Sequence, residues 1–211
     1  MRILGLSILL LTASGAAFAQ QWEFGGVGGG GFLSNVAVSS TAGSATAGFQ
    51  PGAAFGAFFG QNLYSHLTGE IRYEYMQNNL QLTSGGQTAR FSGIAHALHY
   101  DLLWHTNKKN SKVQYFAALG GGMKIFQGTG TEAAYQPLSQ FGYFTKTRTM
   151  KPMVSAGAGM TFALSQRMYL RTEFRDFITM FPKEIITPPS GAKYGSLLHD
   201  FVPMVGIDYV F

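Results

Sequence analysis

Apolar and polar side chains alternate with a period of two along most of this chain. From Met168 to Arg175, one face carries Met168, Leu170, Thr172 and Phe174, and the other carries Tyr169, Arg171, Glu173 and Arg175. Successive side chains of a strand point to opposite sides, so this is strand patterning rather than helix patterning. From Leu67 to Met76, the face Leu67, Gly69, Ile71, Tyr73 and Tyr75 opposes Thr68, Glu70, Arg72, Glu74 and Met76. From Val154 to Leu164, Val154, Ala156, Ala158, Met160, Phe162 and Leu164 oppose small residues: Ser155, Gly157, Gly159, Thr161 and Ala163. The stretch from Val113 to Ile125 alternates in the same way. At the end of the chain, Val205, Ile207, Tyr209 and Phe211 alternate with Met204, Gly206, Asp208 and Val210.

Eight strands are predicted, over 21–32, 47–60, 66–77, 90–104, 112–127, 149–164, 167–178 and 200–211. Each has about the ten residues that a tilted membrane-spanning strand needs. The connections alternate: 33–46, 78–89, 128–148 and 179–199 are long, whereas 61–65, 105–111 and 165–166 are short. Long loops on one side and short turns on the other are the topology of an outer-membrane barrel. The fold class expected is therefore all-β, an eight-stranded antiparallel up-and-down transmembrane β-barrel. An even strand number places both termini on the periplasmic side. The long loops 33–46 and 128–148 are rich in Ser, Thr, Gly and Gln, and read as irregular surface rather than a packed site.

Composition decides which face points outward. Only 12% of residues are charged, against about 25–35% on an ordinary soluble surface. The 28 glycines, with Gly and Ala frequent on the more polar faces, suit the narrow lumen of a small barrel. The formal charge of +5 is not gathered into a stripe; Lys108, Lys109 and Lys112 fall in one predicted turn, and no nucleic-acid partner is expected. With no cysteine, disulfides and thiolate metal sites are excluded.

The start of the chain reads as a leader. Arg2 precedes an apolar run from Ile3 to Leu11, and Ala17-Phe18-Ala19 fits a small-x-small cleavage site before Gln20. Residues 1–19 are assigned as a signal peptide and 20–211 as the barrel domain. No later stretch is long and apolar enough for a spanning helix.

Three pieces of sequence carry a family likeness. Gly56-Ala57-Phe58-Phe59-Gly60 runs through a short turn into Gly69-Glu70-Ile71-Arg72-Tyr73-Glu74-Tyr75. The second is Leu170-Arg171-Thr172-Glu173-Phe174-Arg175-Asp176, and the third is the alternating end with Phe211. In order and spacing the chain resembles the small outer-membrane β-barrel family, which contains the OmpA-type transmembrane domain and the opacity-type proteins. The resemblance spans essentially all of 21–211. It implies residence in the bacterial outer membrane among phospholipid and lipopolysaccharide. It also implies a C-terminal assembly signal, Val205, Ile207, Tyr209 and Phe211, read by the barrel-assembly machinery. Unlike full-length OmpA-type proteins, the chain carries no peptidoglycan-binding domain after the barrel.

The strongest candidate chemistry is Glu70-x-Arg72-x-Glu74 on the third strand and Arg171-x-Glu173-x-Arg175 on the seventh. Period-two spacing puts each trio on one face, and third and seventh strands of eight stand opposite each other. The expectation is a lumen salt-bridge network: a static plug in preference to a gate or proton path. Gly26-Val27-Gly28-Gly29-Gly30-Gly31 matches G-x-G-x-x-G, but no acid follows before Glu70, so strand packing is favoured over dinucleotide binding.

His96 and His99, three apart on a strand, fall on opposite faces and do not make a metal pair. Ser65-His66 lies in a short turn and His199-Asp200 at the opposite rim, so a Ser–His–acid cluster for lipid chemistry does not assemble. His96 is left facing lipid without a role. Trp22, Phe24, Tyr64, Trp104, Tyr169, Tyr209 and Phe211 fall near the short-turn ends of strands and suit an interfacial girdle.

No catalytic residue, cofactor or metal is expected. The function that follows is structural or surface-binding, of an adhesion type, with an external ligand the sequence does not name. The alternatives are a narrow channel for small solutes and a lipid-A-modifying barrel enzyme.

Overall fold

The computed structural model describes residues 21–106 and 111–211. The leader 1–19, its cleavage positions Ala17, Ala19 and Gln20, and Lys108 and Lys109 lie outside the described residues. Eight strands close an antiparallel barrel: β1 (Trp22–Leu33), β4 (Gly52–Tyr64), β5 (Leu67–Gln77), β8 (Gly93–His105), β9 (Val113–Gly128), β11 (Arg148–Ala163), β12 (Met168–Met180) and β15 (Leu197–Val210). Each pairs with its sequence neighbour, and β1 closes on β15 through pairs such as Phe24 with Tyr209. Trp22 and Phe211 meet at one rim, the terminal end, together with the short turns. The opposite rim is the loop end.

The alternation read from the sequence sorts the two faces of this wall. On β5, Glu70, Arg72 and Glu74 are buried inside, while Ile71 and Tyr73 are exposed outside. The outer face elsewhere is mostly apolar, with Phe55, Leu98, Leu102, Leu119, Val154 and Val205 all exposed. Small residues make room within. A Cβ on Gly157 would stand 2.4 Å from the Phe174 carbonyl oxygen and 2.6 Å from Cδ of Arg175. Glycine there lets the arginine lie flat across the lumen.

The long connections depart from the expectation. They are folded, not irregular. The first forms the hairpin β2 (Val36–Ser40) and β3 (Gly43–Phe49), and the second the hairpin β6 (Leu80–Ser84) and β7 (Gln87–Phe91). With β14 (Lys193–Tyr194) they make a five-stranded sheet in the order β14-β2-β3-β6-β7. A two-stranded piece joins β10 (Tyr143–Phe144) to β13 (Ile186–Thr187). The tip of the second hairpin is Gly85-Gly86, with φ of +56° and +79°, a turn that side-chain-bearing residues resist.

Val36, Val38, Ala45, Ala47, Phe49, Leu80, Leu82, Ala89 and Phe91 turn one face of this sheet inward. There they meet Leu138, Phe141, Phe144, Phe181, Ile185 and Ile186 from the other two connections. Burial of each Leu or Phe contributes about 1.5–3 kcal/mol, enough to order connections of otherwise loop-like composition. Two expected barrel strands are cut as a result. The 47–60 stretch divides at Gln50-Pro51, because proline cannot donate to a ladder, and 90–104 divides at Ser92.

Candidate functional site

The lumen next to the terminal end is filled with charge. Arg72 lies 2.9 Å from Glu70 and 3.2 Å from Glu74 on its own strand, and contacts Glu173 across the barrel. Arg171 lies 2.8 Å from Glu70, 3.1 Å from Glu173 and 3.6 Å from Asp208. Arg175 lies 2.7 Å from Asp101 and 3.2 Å from Glu173. The structure thus brings both trios into one network, and their side chains are at most 1% exposed. Phe58 and Phe116 stack on the Arg171 guanidinium, their centroids 4.4 and 4.8 Å from its Cζ. Taking such ions out of water costs several kcal/mol each; Glu70 and Glu173 offset it by each meeting three guanidinium groups, while Glu74 meets only Arg72.

Sequence reasoning missed further members. Asp101 of β8 receives Arg175 and a contact from His99 Nδ1 at 3.0 Å, and Ser155 Oγ lies 3.3 Å from it. Lys124 of β9 pairs with Asp200 of β15. Asp101 and Lys124 are each the single charge of an apolar or glycine-rich strand, Asp200 shares its strand only with Asp208, and the only signal was inward parity.

Above Lys124 the chemistry changes. Phe126 and Phe177 lie under its ammonium at 5.1 and 5.9 Å. Phe49 stacks on Phe126 at 5.6 Å and meets Phe181 at 6.2 Å. This aromatic layer runs into the core of the loop-end sheet without a break. At the terminal mouth Glu23, His105, Gln114, Tyr169, Arg171 and Asp208 line a cavity of about 20 Å³, room for one or two waters. Tyr169 therefore belongs to the mouth of the lumen and not to the outer girdle. The other girdle aromatics stand on the outer face; Trp22 stacks on Phe59 at 5.1 Å, and Phe24 meets Tyr209 at 5.5 Å.

The histidines separate. His99 is inside and His96 outside, its Nδ1 2.7 Å from the Tyr73 hydroxyl. His199 does not work with Asp200, which points into the lumen. Its Nδ1 lies instead 2.8 Å from Asp176 on the outer face of β12. Ser34 is adjacent, but its Oγ accepts the backbone N–H of His199 at 2.9 Å. Among the described residues no hydroxyl is hydrogen-bonded to the His199 ring. No cluster of three His, Asp or Glu suited to a metal occurs among the described residues. The Gly26–Gly31 run lies within β1, paired with both β4 and β15, and opens no helix.

Two titratable groups of the loop-end structures are perturbed. Burial pushes the Glu184 carboxyl up, but hydrogen bonds from Lys151, 2.7 Å away, from the backbone and from Thr149, with the Lys151 charge, together outweigh it and leave the pKa lowered. Burial pushes the Tyr194 hydroxyl up to about 12; it donates to the Phe141 carbonyl oxygen at 2.6 Å.

No protein-family model matches the sequence, and no curated protein matches it. Solved structures do match the fold. Neisserial surface protein A aligns over 90% of this chain and 96% of its own, with a TM-score of 0.51 and 9% identity. The outer membrane protein AlkL, solved in DMPC lipid bilayers, aligns over 90% of each chain, with a TM-score of 0.53 and 11% identity. The architecture is that of the small outer-membrane barrels.

Proposed function

We propose that this protein is a non-catalytic, non-conducting barrel of the bacterial outer membrane that presents its loop-end sheet as a structural or adhesion-type surface. Both termini then lie in the periplasm, and the five-stranded sheet faces the medium. The observation that carries the reading is the double closure of the lumen. A charge network crosses the terminal half, and an aromatic layer continuous with a folded cap seals the loop half. A solute channel would require both to part together.

Two experiments test this. In planar bilayers the purified protein is expected to give no unitary conductance; reproducible steps would overturn the closed lumen. The chain has no cysteine and Tyr135 of the cap is 81% exposed. Tyr135→Cys is therefore expected to react with an impermeant maleimide on intact cells. Labelling only after lysis would reverse the orientation.

The leader and the assembly signal belong to the same proposal. Cleavage between Ala19 and Gln20 is checked by N-terminal sequencing of the mature protein. Val205, Ile207, Tyr209 and Phe211 share the outer face of the closing strand, a row for the assembly machinery to read. Deleting Phe211 is expected to lower outer-membrane levels while costing the refolded protein no more than about 1.5–3 kcal/mol. Unchanged levels would remove that role.

A further inference from the structure

His96 is a polar group on a largely apolar wall, and the barrel alone gives it no purpose. It stands on the outer face of β8, in register with Tyr75 on one side and Ile125 on the other. Its ring packs on Tyr73 and Tyr75, with centroids 6.0 and 5.6 Å away. Two strands further round, Arg148 opens β11 at the loop-end rim, in register with Gln127. Its side chain is exposed and joins no hydrogen bond or ion pair among the described residues.

A groove of about 280 Å³ connects the two. It is lined by Tyr73, His96, Ala97, Leu98, Ile125 and Arg148. Its floor is apolar. Its upper edge holds donors. When the Tyr73 hydroxyl donates to Nδ1, the proton of the neutral imidazole sits on Nε2; in the protonated ring both nitrogens donate. Arg148 adds the guanidinium fork, whose geometry matches phosphate.

No neighbouring acid answers these donors. The two carboxylates of the loop connections are engaged elsewhere. Glu132 accepts the Lys146 amide, and Glu184 accepts Lys151 Nζ at 2.7 Å. An unpaired guanidinium at the rim costs little, so Arg148 stays open to an anion from outside the chain.

We propose that this groove binds a phosphorylated membrane lipid. The phosphate sits between Arg148 and His96 Nε2, and an acyl chain runs over Ala97, Leu98 and Ile125. The inference rests on the outer-membrane reading for the leaflet the lipid occupies. Binding itself is measured in detergent, so it fails separately from the conductance and labelling experiments.

The test uses the purified full chain in maltoside micelles, with bound lipid counted by native mass spectrometry. Bisphosphorylated lipid A is the probe, and its dephosphorylated form and inorganic phosphate are the controls. One retained lipid per protein is expected. Arg148→Gln or His96→Gln each weakens retention about tenfold, the scale of one charge-assisted hydrogen bond. The double variant loses it while keeping heat-modifiable migration on gels, which shows that the barrel is intact. Dephosphorylated lipid binds at least about tenfold more weakly on the same scale. Equal retention by the folded double variant, or by the dephosphorylated lipid, overturns the proposal. Displacement of the lipid by millimolar inorganic phosphate would reassign the site to soluble anions and overturn it equally.

Discussion

The two halves of the barrel interior are filled by opposite chemistries. Next to the terminal end, Arg72, Arg171 and Arg175 interlock with Glu70, Glu74, Glu173 and Asp101. Next to the loop end, Phe49, Phe126, Phe177 and Phe181 pack into an apolar layer. Both fill the lumen, but they enforce different things. The ionic half pins register, because a slip of one residue on β5 or β12 would turn three charges out toward lipid. The apolar half has no such directionality and tolerates exchange of side chains at similar volume. It supplies cohesion between the wall and the cap.

The sharpest way to break this contrast is to strand a charge. Arg72→Ala leaves three carboxylates without their shared partner and is expected to cost about 3–5 kcal/mol in denaturant unfolding from micelles. Glu70→Arg or Arg171→Glu alone is expected to destabilise similarly, and the two combined to recover part of the single variants' loss, since the residues lie 2.8 Å apart. Full stability of Arg72→Ala would mean that water reaches the network.

A smaller effect separates the cap from the wall. Leu82 is fully buried under the loop-end sheet. Leu82→Ala is expected to cost about 2–3 kcal/mol, the lower part of the range for such truncations. If cap and barrel unfold together, the loss appears in the global midpoint. A loss confined to faster proteolysis of 33–50 and 78–92 would make the cap a separate cooperative unit.

The smallest effect is chemical. Tyr194→Phe removes one hydrogen bond and is expected to cost about 1 kcal/mol. The folded pKa of about 12 stands above the ordinary 10.0. The stabilisation from neutral Tyr194 is therefore complete below pH 10 and lost as pH rises through about 12. Absorbance titration at 295 nm is expected to show one late phenolate, absent in Tyr194→Phe. A single phase near pH 10 in the wild type would place the hydroxyl in water.

The wall was legible because each of its strands is long enough for period two to stand out, and the trios because each repeats a charge three times on one face. The cap obeys the same rule in shorter words: Val36-x-Val38, Ala45-x-Ala47-x-Phe49, Leu80-x-Leu82 and Ala89-x-Phe91. Split by Ser, Thr and Gly, these pairs look like loop composition until the Gly85-Gly86 turn is taken as a hairpin signal. Asp101, Lys124 and Asp200 escaped because a lone charge announces no partner; only closure of the barrel brings β9 and β15 within reach. The Asp176–His199 contact escaped for a related reason, since it joins neighbouring strands on a diagonal that local sequence does not encode.

The two ends of the described barrel touch. The Trp22 N–H donates to the Phe211 carbonyl at 3.2 Å, and the Phe211 N–H returns a bond to the Trp22 carbonyl at 2.9 Å. The seam is zipped from both sides of a short gap at Gly30 and Gly31, opposite Pro203, so the cylinder has no intrinsic first strand. A peptide link from Phe211 to Trp22, with a new opening at the Ser165 turn, would trace the same ring with β11 as its last strand. Such a permuted chain keeps every contact of the finished barrel yet ends on Phe162-Ala163-Leu164 instead of Tyr209-Val210-Phe211. It separates what the fold requires from what the cell must recognise while building it.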